Sequence, residues 1–240
     1  PESVINGSPG VKVSDVPDNL SNNAPIQIGR WNSGSFHWNG KLDDIKIFNK
    51  ALSETEIKGL MSRSELAGHW KLDESTGSVA ADSSGNGNNG NLVNFEVDRW
   101  CPARIMNGLE FDGVDDTVQI PNASEINVGT GDFSVSFWMN ASSANELRGA
   151  PRIIHNRDTS YGYGWDIYMN DSGNFQVYIN DSTNYHISKT TNPIGFYDNA
   201  WHYITVVCDR DTDLIQVYVD GQPESVINGS PGVKVSDVPD

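Results

Sequence analysis

The stretch Phe133-Ser-Val-Ser-Phe-Trp-Met-Asn140 decides the fold class, because large apolar side chains occupy every second position from Phe133 to Met139. Successive side chains of a β-strand point to opposite faces of its sheet, so this alternation collects the apolar residues on one face. Ser134 and Ser136 fall on the other face. The stretch therefore predicts a half-buried strand with its serine face toward solvent.

Similar short apolar runs recur along the chain and are separated by turns rich in Gly, Asn and Asp. They span residues 25–29, 44–48, 165–169, 175–179, 202–208 and 214–219. Gly173 and the Asp220-Gly221 pair stand where hairpins need left-handed turn residues. Ser53 and Glu56 form an S-x-x-E capping box, which predicts one short helix. The whole pattern predicts an all-β sandwich of two antiparallel sheets with one short helix.

The first 18 residues, PESVINGSPGVKVSDVPD, are repeated without change at residues 223–240, so the two copies begin 222 residues apart. This period is too long for a solenoid repeat of about 20–50 residues, and it suits a single β-sandwich domain. Two explanations remain open: a natural array of near-identical domains cut in mid-domain, or an engineered permutation.

The formal charge of −16, from 32 acidic and 16 basic side chains, argues against nucleic acid as a partner, because phosphate binding rests on lysine and arginine. The acidic surface suits solubility and divalent-cation binding. No apolar run approaches the length that spans a bilayer, so membrane insertion is not expected.

Cys101 and Cys208 are the two cysteines of the chain, too few for a disulfide framework. Cys208 ends a strand-like run, which favours a buried free thiol. A single bridge between the two cysteines remains open, since the sequence alone does not give their separation.

From Leu66 onward, a series of motifs resembles the laminin-G-like, concanavalin-A-like jelly-roll domains of bacterial surface and secreted proteins. The motifs are Ala67-Gly-His-Trp-Lys-Leu-Asp-Glu74, Asp82-Ser-Ser-Gly-Asn-Gly-Asn-Asn-Gly90, Leu109-Glu-Phe-Asp-Gly-Val-Asp-Asp-Thr-Val118, Phe133-Ser-Val-Ser-Phe-Trp138, Trp201-His-Tyr-Ile-Thr-Val206 and Val217-Tyr-Val-Asp-Gly221. The family's closing segments stand near the start of this chain instead, as Ile28-Gly29 and Gly40-Lys-Leu-Asp-Asp-Ile-Lys-Ile-Phe-Asn-Lys-Ala-Leu-Ser53. The resemblance implies a concanavalin-A-like jelly-roll sandwich in circularly permuted order.

The motif order divides the chain into four parts. Residues 1–61 correspond to the closing strands of a jelly-roll domain, residues 62–64 to a joint, and residues 65–222 to the opening and central strands. Residues 223–240 repeat residues 1–18 and begin the next period. One closed domain has room for one copy of the repeated segment, so either residues 1–61 fold back on their own core or they complete a neighbouring molecule by strand exchange.

The loop from Asp82 to Gly90 carries ligand types that calcium prefers: a carboxylate, side-chain amides, and glycines that allow backbone carbonyls to turn inward. Asn86 and Asn88 are candidate ligands together with Asp82. The alternative is an Asx-turn, in which the Asp82 carboxylate accepts hydrogen bonds from its own loop.

The resemblance implies that Asp43, with Asp44 beside it, completes this calcium site. A calcium ion held by Asp82 and Asp43 would clamp residues 1–61 to residues 65–222. The resemblance thus favours the calcium site over the Asx-turn and implies Ca²⁺ as a structural cofactor.

A second acidic group consists of Asp112, Asp115 and Asp116. The resemblance makes Phe111-Asp-Gly113 a turn at the end of a strand. It therefore favours a turn role for Asp112 over a metal role.

Aromatic side chains outside the strands are candidates for sugar binding, because lectins stack exposed rings on pyranose rings. The candidate ligand-binding residues, all in loops or turn-rich segments, are Trp31, Trp38, Tyr161 and Tyr163. For Trp31 and Trp38 a place in the core is equally open.

Catalysis is not expected. Retaining glycoside hydrolases place two carboxylates about 5–5.5 Å apart, as an E-x-D-x-x-E strand provides. The nearest approach here is Glu96-Val-Asp98-Arg-Trp-Cys101, which lacks the final glutamate. No serine-hydrolase, HExxH or P-loop motif occurs either.

Two functions remain open. The first is a calcium-binding adhesion or glycan-binding repeat of a large secreted or cell-surface protein, in which many weak sites gain avidity through linkage. The second is a structural repeat that links into an extracellular filament or sheath by strand exchange and binds no small ligand. Both predict an extracellular location, with a glycan, a cell-surface partner or a second copy of the chain as the partner.

Overall fold

The computed structural model describes residues 24–31, 36–53, 57, 66–96, 99–121, 126–129, 131–141, 150–157, 164–170, 173–180, 186–191, 196–209, 214–224 and 226–228. Its strands are β1 (Ile26–Ile28), β2 (Asn39–Phe48), β3 (Leu66–Trp70), β4 (Val79–Ala80), β5 (Gly90–Val93), β6 (Trp100–Pro102), β7 (Asn107–Asp112), β8 (Thr117–Ile120), β9 (Phe133–Asn140), β10 (Arg152–His155), β11 (Gly164–Met169), β12 (Phe175–Asn180), β13 (His186–Thr191), β14 (Trp201–Asp209), β15 (Leu214–Val219), β16 (Gln222–Pro223) and β17 (Val226–Asn228).

The strands form two antiparallel sheets. The nine-stranded sheet has the order β17-β13-β12-β11-β10-β1-β8-β5-β4, and the eight-stranded sheet has the order β16-β15-β14-β9-β2-β7-β6, with β3 paired to β2. The predicted fold class, an antiparallel β-sandwich of the jelly-roll type, is confirmed.

The strands from the first part of the chain lie inside both sheets. In β1, Ile28 pairs with Val118 of β8 on one side and with Ile154 of β10 on the other. In β2, Leu42 pairs with Leu109 of β7, and β9 flanks the other side of β2. The described strands before residue 61 therefore fold back on the core of their own chain.

The core lies between the two sheets and is rich in aromatic side chains. Its largest fully buried members include Trp38, Trp70, Trp165, Phe111, Phe133, Phe137, Phe175 and Phe196. Burial of such rings is the main favourable contribution to folding, since each removes roughly 150–250 Å² of surface from water.

The outer face of the eight-stranded sheet carries a second, smaller apolar cluster that corrects one prediction. Ser134 and Ser136 of β9 are fully buried rather than exposed. The segment after β2 lies against this face, where Ser134 Oγ accepts a hydrogen bond from the Leu52 amide at 3.2 Å and donates to the Lys50 carbonyl at 3.1 Å. Leu52 packs there with Phe48, so a contact distant in sequence covers Ser134.

The predicted turns are confirmed. Gly173 has a φ of +74°, and the Gly173 amide donates to the Asn170 carbonyl at 2.9 Å. Asp220 and Gly221 have φ values of +51° and +78°, as a two-residue hairpin turn requires. The predicted helix is described at one residue, Ile57, whose amide donates to the Ser53 carbonyl at 2.9 Å; the rest of that segment lies outside the described residues.

Both cysteines are free thiols. Cys208 is buried in β14, as expected, and Cys101 is half-buried in β6. Of the residues that the structure describes, none belongs to a helix long and apolar enough to cross a membrane.

The second copy of the repeated segment contributes two edge strands. Pro223 of β16 pairs with Tyr218 of β15, and Ile227 of β17 pairs with Thr190 of β13 at the end of the nine-stranded sheet. Residues 1–18, the first copy, lie outside the described residues.

Candidate functional site

Asp82, the centre of the predicted calcium loop, is saturated with hydrogen bonds from the protein. Its Oδ1 accepts from the amides of His69 at 3.0 Å and Ser84 at 2.9 Å. Its Oδ2 accepts from Ser84 Oγ at 2.8 Å and from the Asn88 amide at 2.9 Å. Burial opposes ionisation, but these donors together hold the pKa of Asp82 below its usual value. This is the Asx-turn arrangement that the sequence left open.

Asn86 and Asn88 fasten the loop to β3. Asn86 Nδ2 donates to the Leu66 and Ala67 carbonyls at 3.0 and 3.1 Å, and Asn88 Nδ2 donates to the Ala67 carbonyl at 3.2 Å. The Asn88 carbonyl accepts from Trp70 Nε1 at 2.8 Å. The Nδ2 groups of both asparagines and the Asn88 carbonyl are thus engaged within the fold.

The Asp44 carboxylate is engaged by side chains of the protein itself. Its carboxylate contacts Lys46 Nζ and lies 2.6 Å from His69 Nε2. Burial opposes ionisation of Asp44, but the contacts with His69 and Lys46 outweigh it and lower its pKa. Asp44 also has a φ of +51°, at an irregularity in the pairing of β2 with β9.

Asp43 is the predicted ligand with an unused oxygen. It is fully buried, and its Oδ2 accepts from the Ile105 amide at 3.0 Å. Its Oδ1 has no hydrogen-bond partner among the described residues. Burial, reinforced by the charges of Asp44 and Asp73, raises the pKa of Asp43 to about 7.

Asp43, Asp44 and Asp82, the predicted acidic ligands, do not form a group in which one oxygen of each lies within 4.8 Å of the others. Asp82 and Asp44 are linked through His69, whose amide serves Asp82 and whose ring serves Asp44. Among the described residues, the acidic side chains close enough to share an ion are a different group. As placed, the set offers one free carboxylate oxygen, on Asp43, and fits calcium poorly without a change of partners. Calcium binding at this loop stays a prediction.

The predicted sugar-stacking tryptophans have no exposed faces. Trp38 has a relative exposure of 0% and Trp31 of 6%, so neither ring is presented to solvent as a stacking platform needs. Backbone hydrogen bonds help to hold both residues in place: the Trp38 amide donates to the Gly29 carbonyl at 2.7 Å, and the Trp31 amide donates to the Phe36 carbonyl at 3.1 Å. Tyr161 and Tyr163 lie outside the described residues.

Trp31 belongs to an arginine–aromatic cluster at β10 and β11. The guanidinium groups of Arg152 and Arg157 lie 4.9 and 4.6 Å from the centroid of the Trp31 ring. Arg152 Nε donates to Oδ2 of the fully buried Asp166 at 3.0 Å. These pairings give Trp31 a packing role, because two desolvated cations share its π face.

A cleft of about 440 Å³ opens where the β5–β4 edge of one sheet approaches β6, the edge of the other. It is lined by Thr76, Gly77, Ser78, Leu92, Asn94, Phe95, Glu96, Arg99 and Trp100. Leu92, Phe95 and Trp100 are half-buried and pack against the core on one side. Trp100 Nε1 donates to the Gly77 carbonyl at 3.0 Å, which fixes the indole in the wall of the cleft.

Polar groups at the cleft are held by contacts with the β7–β8 turn. The Arg99 guanidinium lies 3.5 Å from Glu96 Oε2 and 3.5 Å from Asp112 Oδ2. Asn94 Nδ2 donates to the Asp115 carbonyl at 3.3 Å. The cleft therefore combines aromatic surface with an amide, a carboxylate and a guanidinium.

No sequence motif indicates this cleft directly. Glu96 and Trp100 belong to the E-x-D-x-x-C segment, which lacks the second glutamate of a retaining glycoside hydrolase. The partial signal was Trp100, which begins the three-residue edge strand β6 directly after Arg99. Its position in the wall of a cleft depends on the meeting of two sheet edges, which no short stretch of sequence indicates.

The β7–β8 turn brings three carboxylates together. One oxygen each from Asp112, Asp115 and Asp116 lies within 4.8 Å of the others. Asp112 Oδ1 accepts from the Val114 amide at 2.8 Å, so its expected turn role is present. Burial, with Asp112 and Asp115 nearby, raises the pKa of Asp116 to about 6.

Comparison with known proteins assigns the chain to a family. The family model for Clostridium neurotoxin, N-terminal receptor binding, matches residues 77–228, more than half of the chain. The chain belongs to this family. A second model, for the Concanavalin A-like lectin/glucanases superfamily, matches residues 4–58, which confirms the resemblance seen in the motifs.

Two curated relatives are both named non-toxic nonhemagglutinin type A, one from Clostridium botulinum (strain Kyoto / Type A2) and one from Clostridium botulinum. Each is 25% identical to this chain over 115 residues, which is 47% of this chain and 9% of the relative. The chain thus spans less than a tenth of the relatives' length. No solved structure matches the chain.

Proposed function

We propose that this chain is a non-catalytic, glycan- or receptor-binding module of a secreted or cell-surface protein, and that its ligand binds in the Trp100 cleft. The observation that carries the proposal is the cleft itself, with half-buried aromatic side chains and three kinds of polar group. Membership of a receptor-binding family and the match to a lectin superfamily support it.

The cleft has the chemistry that sugar recognition uses. Pyranose rings present C–H faces that pack on aromatic surface, and their hydroxyl groups exchange hydrogen bonds with amides and charged side chains. Trp100 and Phe95 supply aromatic surface, while Asn94, Glu96 and Arg99 supply donors and acceptors. A neutral or weakly charged glycan suits this mixture better than a polyanion, since the chain carries a formal charge of −16.

A binding role is favoured over catalysis by the composition of the cleft. Glycoside hydrolysis needs two carboxylates on either side of the scissile bond. Glu96 is the one carboxylate among the described residues that line the cleft. We therefore infer that the bound ligand is held and released unchanged, which suits adhesion.

Glycan-array binding of the wild-type chain and Trp100→Ala tests the proposal. We expect selective hits for the wild type and a loss of affinity of about tenfold or more for Trp100→Ala, since buried aromatic anchors dominate such interfaces. Trp138→Ala is the matched control, because Trp138 is also half-buried but lies on β9, packed on Tyr203 and under Arg104.

Arg99→Ala is a second cleft variant that removes a partly exposed side chain and preserves the indole. It should weaken the same glycan hits while the Trp100 indole keeps its hydrogen bond to the Gly77 carbonyl. Retention of all hits by both Trp100→Ala and Arg99→Ala, or equal loss in Trp138→Ala, would count against the cleft.

A second candidate function is supported by the pairing of β17 with β13. Val226–Asn228 of the second copy lies at the edge of the nine-stranded sheet, and the same letters occur at residues 4–6. We propose as the alternative that β13 pairs with the identical segment of a neighbouring chain in place of its own β17, and that copies link into a filament in this way. Light scattering of the purified chain tests this, and a strict monomer at all concentrations would exclude it.

A further inference from the structure

We propose that the β7–β8 turn is a binding site for a hard divalent cation of the calcium type, held by Asp112, Asp115 and Asp116. This inference does not depend on the ligand of the Trp100 cleft. It places a cation at a different point from the Asp82 loop.

The first support for the cation site is that the three carboxylates lie close together. The three side chains come from a turn of only five residues, and one oxygen of each lies within 4.8 Å of the others. Gly113, with a φ of +75°, allows the sharp reversal that brings Asp116 back toward Asp112. No other set of three His, Cys, Asp or Glu side chains within the described part of the chain meets this condition.

The second support is independent of clustering and concerns one buried oxygen. Asp116 has a relative exposure of 1%, and its Oδ2 reaches across the turn to accept from the Asp112 amide at 3.0 Å. Its Oδ1 is buried and has no hydrogen-bond partner among the described residues. A buried carboxylate oxygen without a donor is costly unless a cation lies beside it.

The third support is the local charge. Arg99 is the guanidinium in contact with the turn, at 3.5 Å from Asp112, and it is shared with Glu96 at the same distance. One guanidinium therefore serves two carboxylates, while Asp115 and Asp116 add two more negative charges. A divalent cation would balance this excess.

Calcium suits the turn better than magnesium. Asp112 and Asp116 each commit one oxygen to a backbone amide, and Asp112 Oδ2 also lies 3.5 Å from Arg99. The turn therefore leaves few oxygens with which to meet the strict octahedral geometry of magnesium. Calcium accepts six to eight oxygens in irregular geometry, with water completing the shell. Three carboxylates in a partly exposed turn are in keeping with a Kd of about 10⁻⁴–10⁻³ M, the range of extracellular calcium modules.

Isothermal titration with calcium chloride tests the site on the full chain. Asp115 is exposed, so Asp115→Asn removes one charge without disturbing the core, and Asp116→Asn retains an acceptor for the Asp112 amide. Both should weaken calcium binding by about tenfold or more, because ligand charge sets the affinity of such sites. Asp198→Asn, at an exposed aspartate elsewhere, and Asp82→Asn, in the predicted loop, should leave the Kd within about twofold.

Three results would overturn the inference: no calcium binding at millimolar concentrations, unchanged binding in both Asp115→Asn and Asp116→Asn, or loss of binding in Asp82→Asn with retention in Asp115→Asn. Circular dichroism of each variant, recorded without calcium, separates loss of the site from loss of the fold.

Discussion

At the scale of single residues, His155 gives the clearest link between burial and stability. It is fully buried, its Nε2–H donates to the Arg30 carbonyl at 2.7 Å, and its Nδ1 accepts from the Arg157 amide at 3.3 Å. These two bonds fix the neutral ring. Burial, assisted by Arg152 and Arg157, lowers the pKa of His155 from 6.5 to about 3.

Acid is therefore expected to destabilise the domain through His155. Below pH 6.5 the unfolded chain binds a proton at this residue, whereas the folded chain does not until about pH 3. The free energy of unfolding should fall by up to about 1.4 kcal/mol per pH unit within that window. Urea unfolding at several pH values, on wild type and His155→Gln, measures this; an equal slope in both would contradict it.

Replacement of aspartate by asparagine is expected to stabilise the folded protein at Asp43 and to destabilise it at Asp82. Without calcium, Asp43→Asn keeps an acceptor for the Ile105 amide and removes a buried charge, so we expect stabilisation of about 1 kcal/mol above pH 7. The two carboxylate oxygens of Asp82 accept four hydrogen bonds. Asp82→Asn replaces one of these oxygens by a donor group and should lower the free energy of unfolding by about 1–3 kcal/mol. Thermal or urea unfolding measures both.

The same pair of variants tests calcium at the predicted loop. If Asp43 and Asp82 are both ligands, calcium should raise the melting temperature of the wild type but of neither variant. A calcium-induced rise that persists in both variants would exclude the loop site and leave the β7–β8 turn.

At the scale of strands and turns, the two-residue alternation of apolar side chains and the types of turn residue predicted the fold well. The alternation in β9 predicted a strand and the glycine between β11 and β12 predicted a hairpin turn, and the structure contains both. Ser134 was misassigned because the segment that covers it, including Leu52, is about 80 positions away in sequence. Ser136 is fully buried as well. A periodic pattern cannot indicate what packs on its polar face.

The candidate sites were less predictable for the same reason. Asp82 was identified as the centre of its loop, but the choice between calcium and a turn depends on donors from β3. Trp38 stood in a Gly- and Ser-rich loop, yet it is fully buried. The Trp100 cleft requires two sheet edges to meet, which is a property of the sandwich and not of any segment.

At the scale of the whole molecule, the repeated segment makes strand exchange directly testable. Proline has no backbone donor, so it weakens pairing at a strand position whose N–H faces the neighbouring strand. Ile227→Pro should open the β13 edge that Ile227 now covers, and the identical segment at residues 4–6 of another chain can then fill it. We expect more self-association in Ile227→Pro, measured by light scattering.

Ile5→Pro is the matched control, because it makes the same change at the same letter of the other copy. The double variant should lose association altogether. Equal masses for Ile227→Pro and the double variant would argue that exchange at this edge does not occur.

NMR chemical-shift mapping with the strongest glycan hit tests most directly whether the domain binds its ligand in the Trp100 cleft. We expect the largest shift changes on residues 76–78, 92–96 and 99–100, including the Trp100 indole N–H. Shift changes confined to β10 and β11 around Trp31, or to the Asp82 loop, would contradict it.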